Sequence, residues 1–216
     1  MFSQRKKFIS GFTLIELMIT LSIFVIITAV VLFSQRSFNS SIVLTNLSYD
    51  IALAVRQAQT FGIGGKSSGF TGNIKPTYGV HFETTGALGE NKVIVFFADY
   101  NGDKILSLQN EQTNSIASQT FCTSDISPEC IQKQNLTRGN IIKKICDLAI
   151  PANCYSVLDI AFQRPNVEPI ITVRNSTSDP SPGILHSGMK ITLGSSDGVS
   201  ERYVTVGPLG NINTIR

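Results

Sequence analysis

One uninterrupted apolar run constrains this chain more than any other feature. It extends from Phe12 to Phe33, 22 residues without Lys, Arg, Pro or Gly. Wound as a helix at 1.5 Å per residue, it would be about 33 Å long, enough to cross a hydrocarbon core of about 30 Å. Arg5, Lys6 and Lys7 precede the run and few cations follow it, which places the amino terminus in the cytoplasm and the rest on the outer face. Those three residues also account for the whole net charge of +3, since 15 basic and 15 acidic side chains remain beyond residue 11. A chain balanced in this way lacks the global basic footprint of a nucleic-acid binder. With 42% apolar and only 15% charged residues it is no disordered protein either.

Two features of the amino-terminal segment do not fit an ordinary secretory signal, in which the small-residue cleavage site follows the apolar stretch. Gly11 precedes the run, so a cut after it leaves the hydrophobic helix on the mature protein. Glu16 lies inside the run, where an acidic group at mid-membrane costs about 3 kcal/mol on insertion scales. By position alone, Glu16 is either half solvated at the cytoplasmic interface or paired with a cation on a neighbouring helix.

The string Gly11-Phe12-Thr13-Leu14-Ile15-Glu16-Leu17 closely resembles the processing motif of type IV prepilins and type II secretion pseudopilins, and the resemblance covers residues 5–33. It implies that a prepilin peptidase cuts after Gly11 and that the new amino group of Phe12 is methylated. It also implies that Glu16 pairs with the amine of an adjacent subunit in a filament, so that each charge offsets the other's burial. Other pilins or pseudopilins, an inner-membrane assembly platform and membrane lipid are the implied partners. The implied location is the bacterial inner membrane, crossed once, and then a pilus or pseudopilus. Many major pilins carry a proline where this chain has Phe33.

From Leu44 the apolar positions step by three and four through Leu47, Ile51, Ala54/Val55, Ala58 and Phe61, which predicts an amphipathic helix to about residue 61. Gly62, Gly64 and Gly65 end it, and Lys66–Pro76 is a loop. Alternation and β-branched residues then predict strands at Tyr78–Glu83, Lys92–Ala98, Ile105–Leu108, Asn140–Cys146, Ser156–Gln163, Ile170–Arg174, Met189–Leu193, Arg202–Val206 and Asn211–Ile215. Residues 84–91 and 207–210 are hairpin connections, and Ser176–Gly183 is a surface loop. The expected fold is α+β, a long amino-terminal helix, transmembrane and then amphipathic, packed on antiparallel sheet. The expected division is a leader at 1–11, an assembly helix at 12–33 and an extracytoplasmic domain at 34–216. FFADYNGDKIL at 96–106, LDIAFQRP at 158–165 and VTVGPLGNI at 204–212 resemble the H-type minor pseudopilins of type II secretion and FimT-like minor pilins. Residues 121–154 match nothing in that pattern and read as an insertion.

Cys122, Cys130, Cys146 and Cys154 lie beyond the apolar run, where an oxidising compartment favours disulfides. Their spacing of seven, fifteen and seven intervening residues is too wide for the close ligand pairs of zinc sites, and free thiols are the other alternative. Three connectivities are open; the local pairs Cys122–Cys130 and Cys146–Cys154 are the expectation.

Asp99, Asn101 and Asp103 have the one-three-five spacing of calcium loops, but Lys104 replaces the needed glycine and Glu111 falls one residue late. A turn stabilised by its own Asp and Asn side chains is the favoured reading, with calcium the only cofactor entertained. Arg138, Lys143 and Lys144 cluster while Arg164, Arg174 and Arg216 are scattered, which describes a solvated face better than a nucleic-acid site. His81 and His186 are the only histidines, and no phosphate loop, nucleophile elbow or paired-ligand motif accompanies them, so the chain reads as a non-enzyme. A structural minor subunit is the main expectation. A minor pilin whose loops bind DNA or a surface is the alternative.

Overall fold

The structure is a computed structural model that describes residues 11–66, 76–85, 90–107, 122, 129–176, 183–185, 187–196 and 198–215, with backbone alone over 33–39. By internal contacts the chain forms two compact units, Met1–Asn39 and Ser40–Arg216. Helix α1 spans Leu14–Gly64. In the first unit its stretch Leu14–Leu32 is long and apolar enough to cross a membrane, with none of that window buried. Thr20, Ser22 and Thr28 return their hydroxyls to carbonyls one turn back, on Leu17, Ile19 and Phe24, at 3.0, 2.8 and 2.7 Å. In hydrocarbon this satisfies polar groups that have no water to bond.

The second unit is built on the remainder of α1 and two antiparallel sheets. The strands are β1 (Thr77–Glu83), β2 (Val93–Asp99), β3 (Cys130–Asn135), β4 (Ile141–Asp147), β5 (Cys154–Tyr155), β6 (Val157–Phe162), β7 (Ile170–Arg174), β8 (Gly183–Leu185), β9 (Met189–Gly194), β10 (Glu201–Val206) and β11 (Ile212–Ile215). One sheet has the order β3-β2-β1-β6-β7-β8, the other β11-β10-β9-β4-β5. The fold is therefore α+β, an apolar helix followed by a helical segment on antiparallel sheet, as the pattern of periods three to four and then two dictates.

The core follows from register. Tyr78, Val80 and Phe82 of β1 stand opposite Phe162, Ile160 and Leu158 of β6, and opposite Ala98, Phe96 and Ile94 of β2. This face takes the helix residues Leu44, Leu47, Ile51, Val55 and Ala58, all buried, together with Ile145, Ile191 and Val204 of the second sheet. Phe61 meets Tyr78 and Phe96 edge-on at 5.5 and 5.8 Å between centroids. Gly62 is required inside the helix because a Cβ there would lie 2.2 Å from the carbonyl oxygen of Phe162. After Gly64, Gly65 turns the chain at φ +60°, and Lys66 donates its backbone N–H to Phe61 at 3.2 Å. That arrangement closes the helix with a left-handed glycine.

Several expectations need correction. Ile105–Ser107 is no strand; Leu108 lies outside the described residues. The backbone N–H groups there are taken by carboxylates: Ile105 donates to Asp103, Leu106 to Asp159 and Ser107 to Glu129, at 3.0, 3.2 and 2.9 Å. On the side of β2 away from β1 the neighbouring strand is β3, whose sequence CIQKQN shows no alternation. Strands β5 and β8, only two and three residues long, are too short to show a periodic pattern, and Gly183 begins β8 rather than closing a loop. Strand β4, expected at Asn140–Cys146, lies inside the second sheet between β9 and β5. The loop segments 67–75, 86–89 and 177–182 lie outside the described residues, as do His186 and Arg216.

Candidate functional site

The amino-terminal site is assembled by the start of α1. Gly11 and Phe12 are exposed and precede the helix. The Thr13 hydroxyl accepts the backbone N–H of Glu16 at 3.3 Å, and the Thr13 carbonyl accepts that of Leu17 at 3.2 Å. Thr13 is thus the N-cap, and Thr-x-x-Glu is the spacing of a capping box, which places Glu16 in the first turn at the positive end of the helix dipole. The Thr-x-x-Glu spacing was legible in the sequence, although the strength of the cleavage motif overshadowed it. Glu16 is exposed, and among the described residues no cation pairs with it. The chain therefore presents a capped helix start, a lone carboxylate one turn in, and a glycine–phenylalanine bond just before the cap.

A second cluster, which no local motif announces, lies on the face of the larger sheet opposite the one that packs on α1. His81 of β1 sits directly opposite Asp159 of β6, and Arg174 of β7 lies one diagonal away. His81 Nδ1 donates to Asp159 at 2.8 Å and Arg174 Nη2 donates to the other carboxylate oxygen at 2.7 Å. His81 Nε2 faces Glu83 at 3.9 Å, beyond hydrogen-bond reach, so that attraction is coulombic. Burial pushes the imidazole down, but Asp159 and then Glu83 outweigh it and raise His81 to about 9. Burial likewise pushes Asp159 up, and the His81 and Arg174 charges more than reverse it, leaving its carboxyl below the usual range. Arg174, expected on a solvated face, is buried. At 1% exposure His81 cannot reach a substrate, so the cluster is an internal ion network.

Asp99, Asn101 and Asp103 do come together after β2, with Glu129 beside them. Asp99 accepts the backbone N–H groups of Gly102 and Lys104 at 2.6 and 3.0 Å, and Asn101 accepts that of Asp103 at 2.9 Å. Asp103 also accepts from Asn101 Nδ2 and the Ser107 hydroxyl, both at 2.8 Å. Glu129 accepts the N–H groups of Tyr100 and Ser107. Burial, then the Asp103 and Asp99 charges, outweigh those two bonds and raise Glu129 to about 7; burial also raises Asp99. The carboxylate oxygens there are engaged by main-chain and side-chain donors, and no group of three His, Cys, Asp or Glu suited to a metal occurs among the described residues. The arrangement is a turn organised by its own side chains.

The cysteines pair locally, Cys122 with Cys130 and Cys146 with Cys154. The first bridge ties β3 to the segment before it, and the second joins directly opposed residues of β4 and β5. Lys143 forms an ion pair with Glu201, and Lys144 is exposed.

Among known families, the model described as the prokaryotic N-terminal methylation motif matches residues 6–32. No curated protein and no solved structure matches the chain significantly. The matched stretch brackets the glycine–phenylalanine bond, the Thr13 cap and Glu16.

Proposed function

We propose that this chain, a membrane-anchored type IV pilin-like prepilin by its methylation motif and apolar helix, is a minor structural subunit of a type IV pilus or a type II secretion pseudopilus. Prepilin peptidase cuts between Gly11 and Phe12, and the new amine on Phe12 is methylated. The mature helix waits in the inner membrane, with its amino end at the cytoplasmic side and the Ser40–Arg216 unit outside. On assembly Glu16 meets the Phe12 amine of a neighbouring subunit, and small residues such as Ser22 and Ala29 admit close helix approach. The family motif indicates a structural subunit rather than an enzyme. The minor rank rests on the three strand segments that resemble minor members and on a domain larger than a shaft unit needs.

The observation that carries this reading is a lone carboxylate, unpaired among the described residues, one turn inside an otherwise uncharged Leu14–Leu32 helix. A carboxylate left unpaired in lipid carries a burial cost that reaches about 3 kcal/mol at mid-membrane, and a neighbour's amine at the same depth offsets it. Replacing Gly11 with a bulky residue is expected to leave the leader attached, read as the larger form on a gel and an amino terminus at Met1. Normal processing of Gly11→Leu, or a wild-type mature terminus elsewhere than Phe12, overturns the proposal. Buried Arg174 and paired Lys143 subtract cations from the outer surface, so no specific observation favours the ligand-binding alternative.

A further inference from the structure

Strand β3 turns glutamines toward the helix layer. Gln132 and Gln134 stand opposite Phe96 and Ile94 of β2, so they project from the sheet face that packs on α1. A strand that only completed the core would carry apolar side chains at those two positions. Here they form one side of a groove of about 280 Å³, and Asp50, Leu53 and Gln57 of α1 form the other. Asp50 and Gln57 are seven residues apart, two helical turns or about 10 Å along the axis, and so share one side of α1. Among the described residues, neither the three glutamine amides nor the Asp50 carboxylate has a hydrogen-bond partner within the protein. The floor beneath them is closed, with Ile94 and Phe96 2% and 5% exposed, so the apolar surface that a ligand meets is Leu53, 65% exposed.

The lining selects a class of ligand by what it holds and what it lacks. It has no cation and one carboxylate, so an anion would be repelled without compensation. One carboxylate is likewise no cage for a metal ion, and no group of three His, Cys, Asp or Glu suited to one occurs among the described residues. An apolar ligand would strip water from three amides and a carboxylate and return no hydrogen bond. A neutral molecule dense in hydroxyls meets every requirement. Each amide offers two N–H donors and a carbonyl acceptor, and the carboxylate accepts. A hydroxyl both donates and accepts, so two neighbouring hydroxyls can answer one planar amide with two bonds. A cavity of about 150 Å³ holds a six-membered carbon ring, so the groove has room for a pyranose ring with its hydroxyls.

We propose that this groove binds a neutral saccharide, with one pyranose unit seated between the Asp50–Gln57 side of α1 and the Gln132–Gln134 side of β3. Asp50 accepts from ring hydroxyls, the glutamine amides donate and accept around the ring edge, and Leu53 covers its C–H face. The site lies between a helix and a strand and calls for no cation, unlike the loop-borne DNA or surface contacts of the alternative. The inference goes beyond the subunit reading by giving the Ser40–Arg216 unit a ligand of its own. Bonds to sugar hydroxyls replace bonds to water, so a single unit binds weakly, with a Kd on the order of 1 mM.

The test uses the full chain purified in a detergent without sugar headgroups. The probes are the methyl glycosides of glucose, galactose, mannose and N-acetylglucosamine, each at about 5 mM, read by saturation-transfer NMR. Transfer to the ring protons of at least one glycoside is expected. Gln57→Leu combined with Gln134→Leu is expected to reduce it at least about fivefold, whereas Gln163→Leu, exposed beyond the end of β6, leaves it unchanged. Unaltered thermal melts of both variants exclude unfolding as the cause. Transfer to none of the four glycosides overturns the inference, as does equal transfer in the parent and the Gln57→Leu/Gln134→Leu chain. Transfer to a neutral Ser/Thr peptide in place of the glycosides overturns it too. A mature terminus at Phe12 in the same preparation leaves the subunit reading standing whatever the glycosides show.

Discussion

His81, Asp159 and Arg174 show how a buried charge is tolerated at the scale of single residues. Asp159 is wholly buried and bonds His81, Arg174 and the backbone N–H of Leu106. Removing one partner of such a pair strands the other in low dielectric, typically at a cost of about 3–5 kcal/mol. The network also sets a pH dependence. His81 is raised to about 9 from its ordinary 6.5, so its stabilising contribution is fully present below pH 6.5 and is lost as pH climbs through 9. That contribution is on the order of 3 kcal/mol. Glu129, raised to about 7, acts in the same sense, because its ionisation in the folded state is disfavoured as pH rises from 4.5 to 7. Asp159 acts oppositely and only in strong acid, below its ordinary 3.8. The protein is therefore expected to melt at higher temperature near pH 5 than near pH 9, with His81→Gln flattening the upper part of that slope. Thermal melts that are level or rise from pH 5 to 9 contradict the network.

Elements here are positioned by close approaches that a residue pattern only hints at. Helix α1 lies so near β6 that Gly62 has no room for a methyl group, and the clash would be with backbone, which cannot swing aside. Gly62→Ala is expected to destabilise the folded unit by about 1–3 kcal/mol, the cost of overpacking, although alanine is the better helix former. A stability equal to or above the parent in denaturant titration would show that the helix and β6 are not so placed. The segment after β2 teaches the complementary lesson. Asp99, Glu129 and Asp159 draw its N–H groups away from strand pairing, while Leu106 packs under it on Val93, Val95 and Phe97. The described part of that apolar run, Ile105–Ser107, thus becomes an irregular cover because carboxylates of Asp103, Glu129 and Asp159 take the N–H groups that a strand would offer a neighbour.

The whole molecule divides its stabilisation between two solvents. Met1–Asn39 holds the exposed apolar helix, whereas Ser40–Arg216 encloses a continuous buried cluster drawn from α1 and both sheets. A chain beginning at Ser40 is expected to stay in the supernatant on ultracentrifugation and to melt cooperatively, while the full chain sediments with membranes. Aggregation or non-cooperative melting of the shorter chain would mean that the first 39 residues contribute to the fold of the domain.

What the sequence determined by itself is everything that depends on neighbours along the chain. The apolar run, its lone Glu16, the glycine before it, the helical stripe from Leu44 to Phe61 and most strands are short-range patterns, and the structure places them where period and composition require. The disulfides stand between the two groups: an oxidising compartment is legible along the chain, but the structure chose the local pairs Cys122–Cys130 and Cys146–Cys154 from three possible connectivities. The remainder depends on partners distant in sequence, which only the folded chain brings together. His81 reads as an ordinary strand residue and Arg174 as a surface cation until β1, β6 and β7 align them around Asp159. The sequence CIQKQN becomes a strand because β2 offers it an edge, not because its side chains ask for one. Local free-energy differences of about 1 kcal/mol or less govern such strand preferences, and a buried carboxylate or an open sheet edge outweighs them.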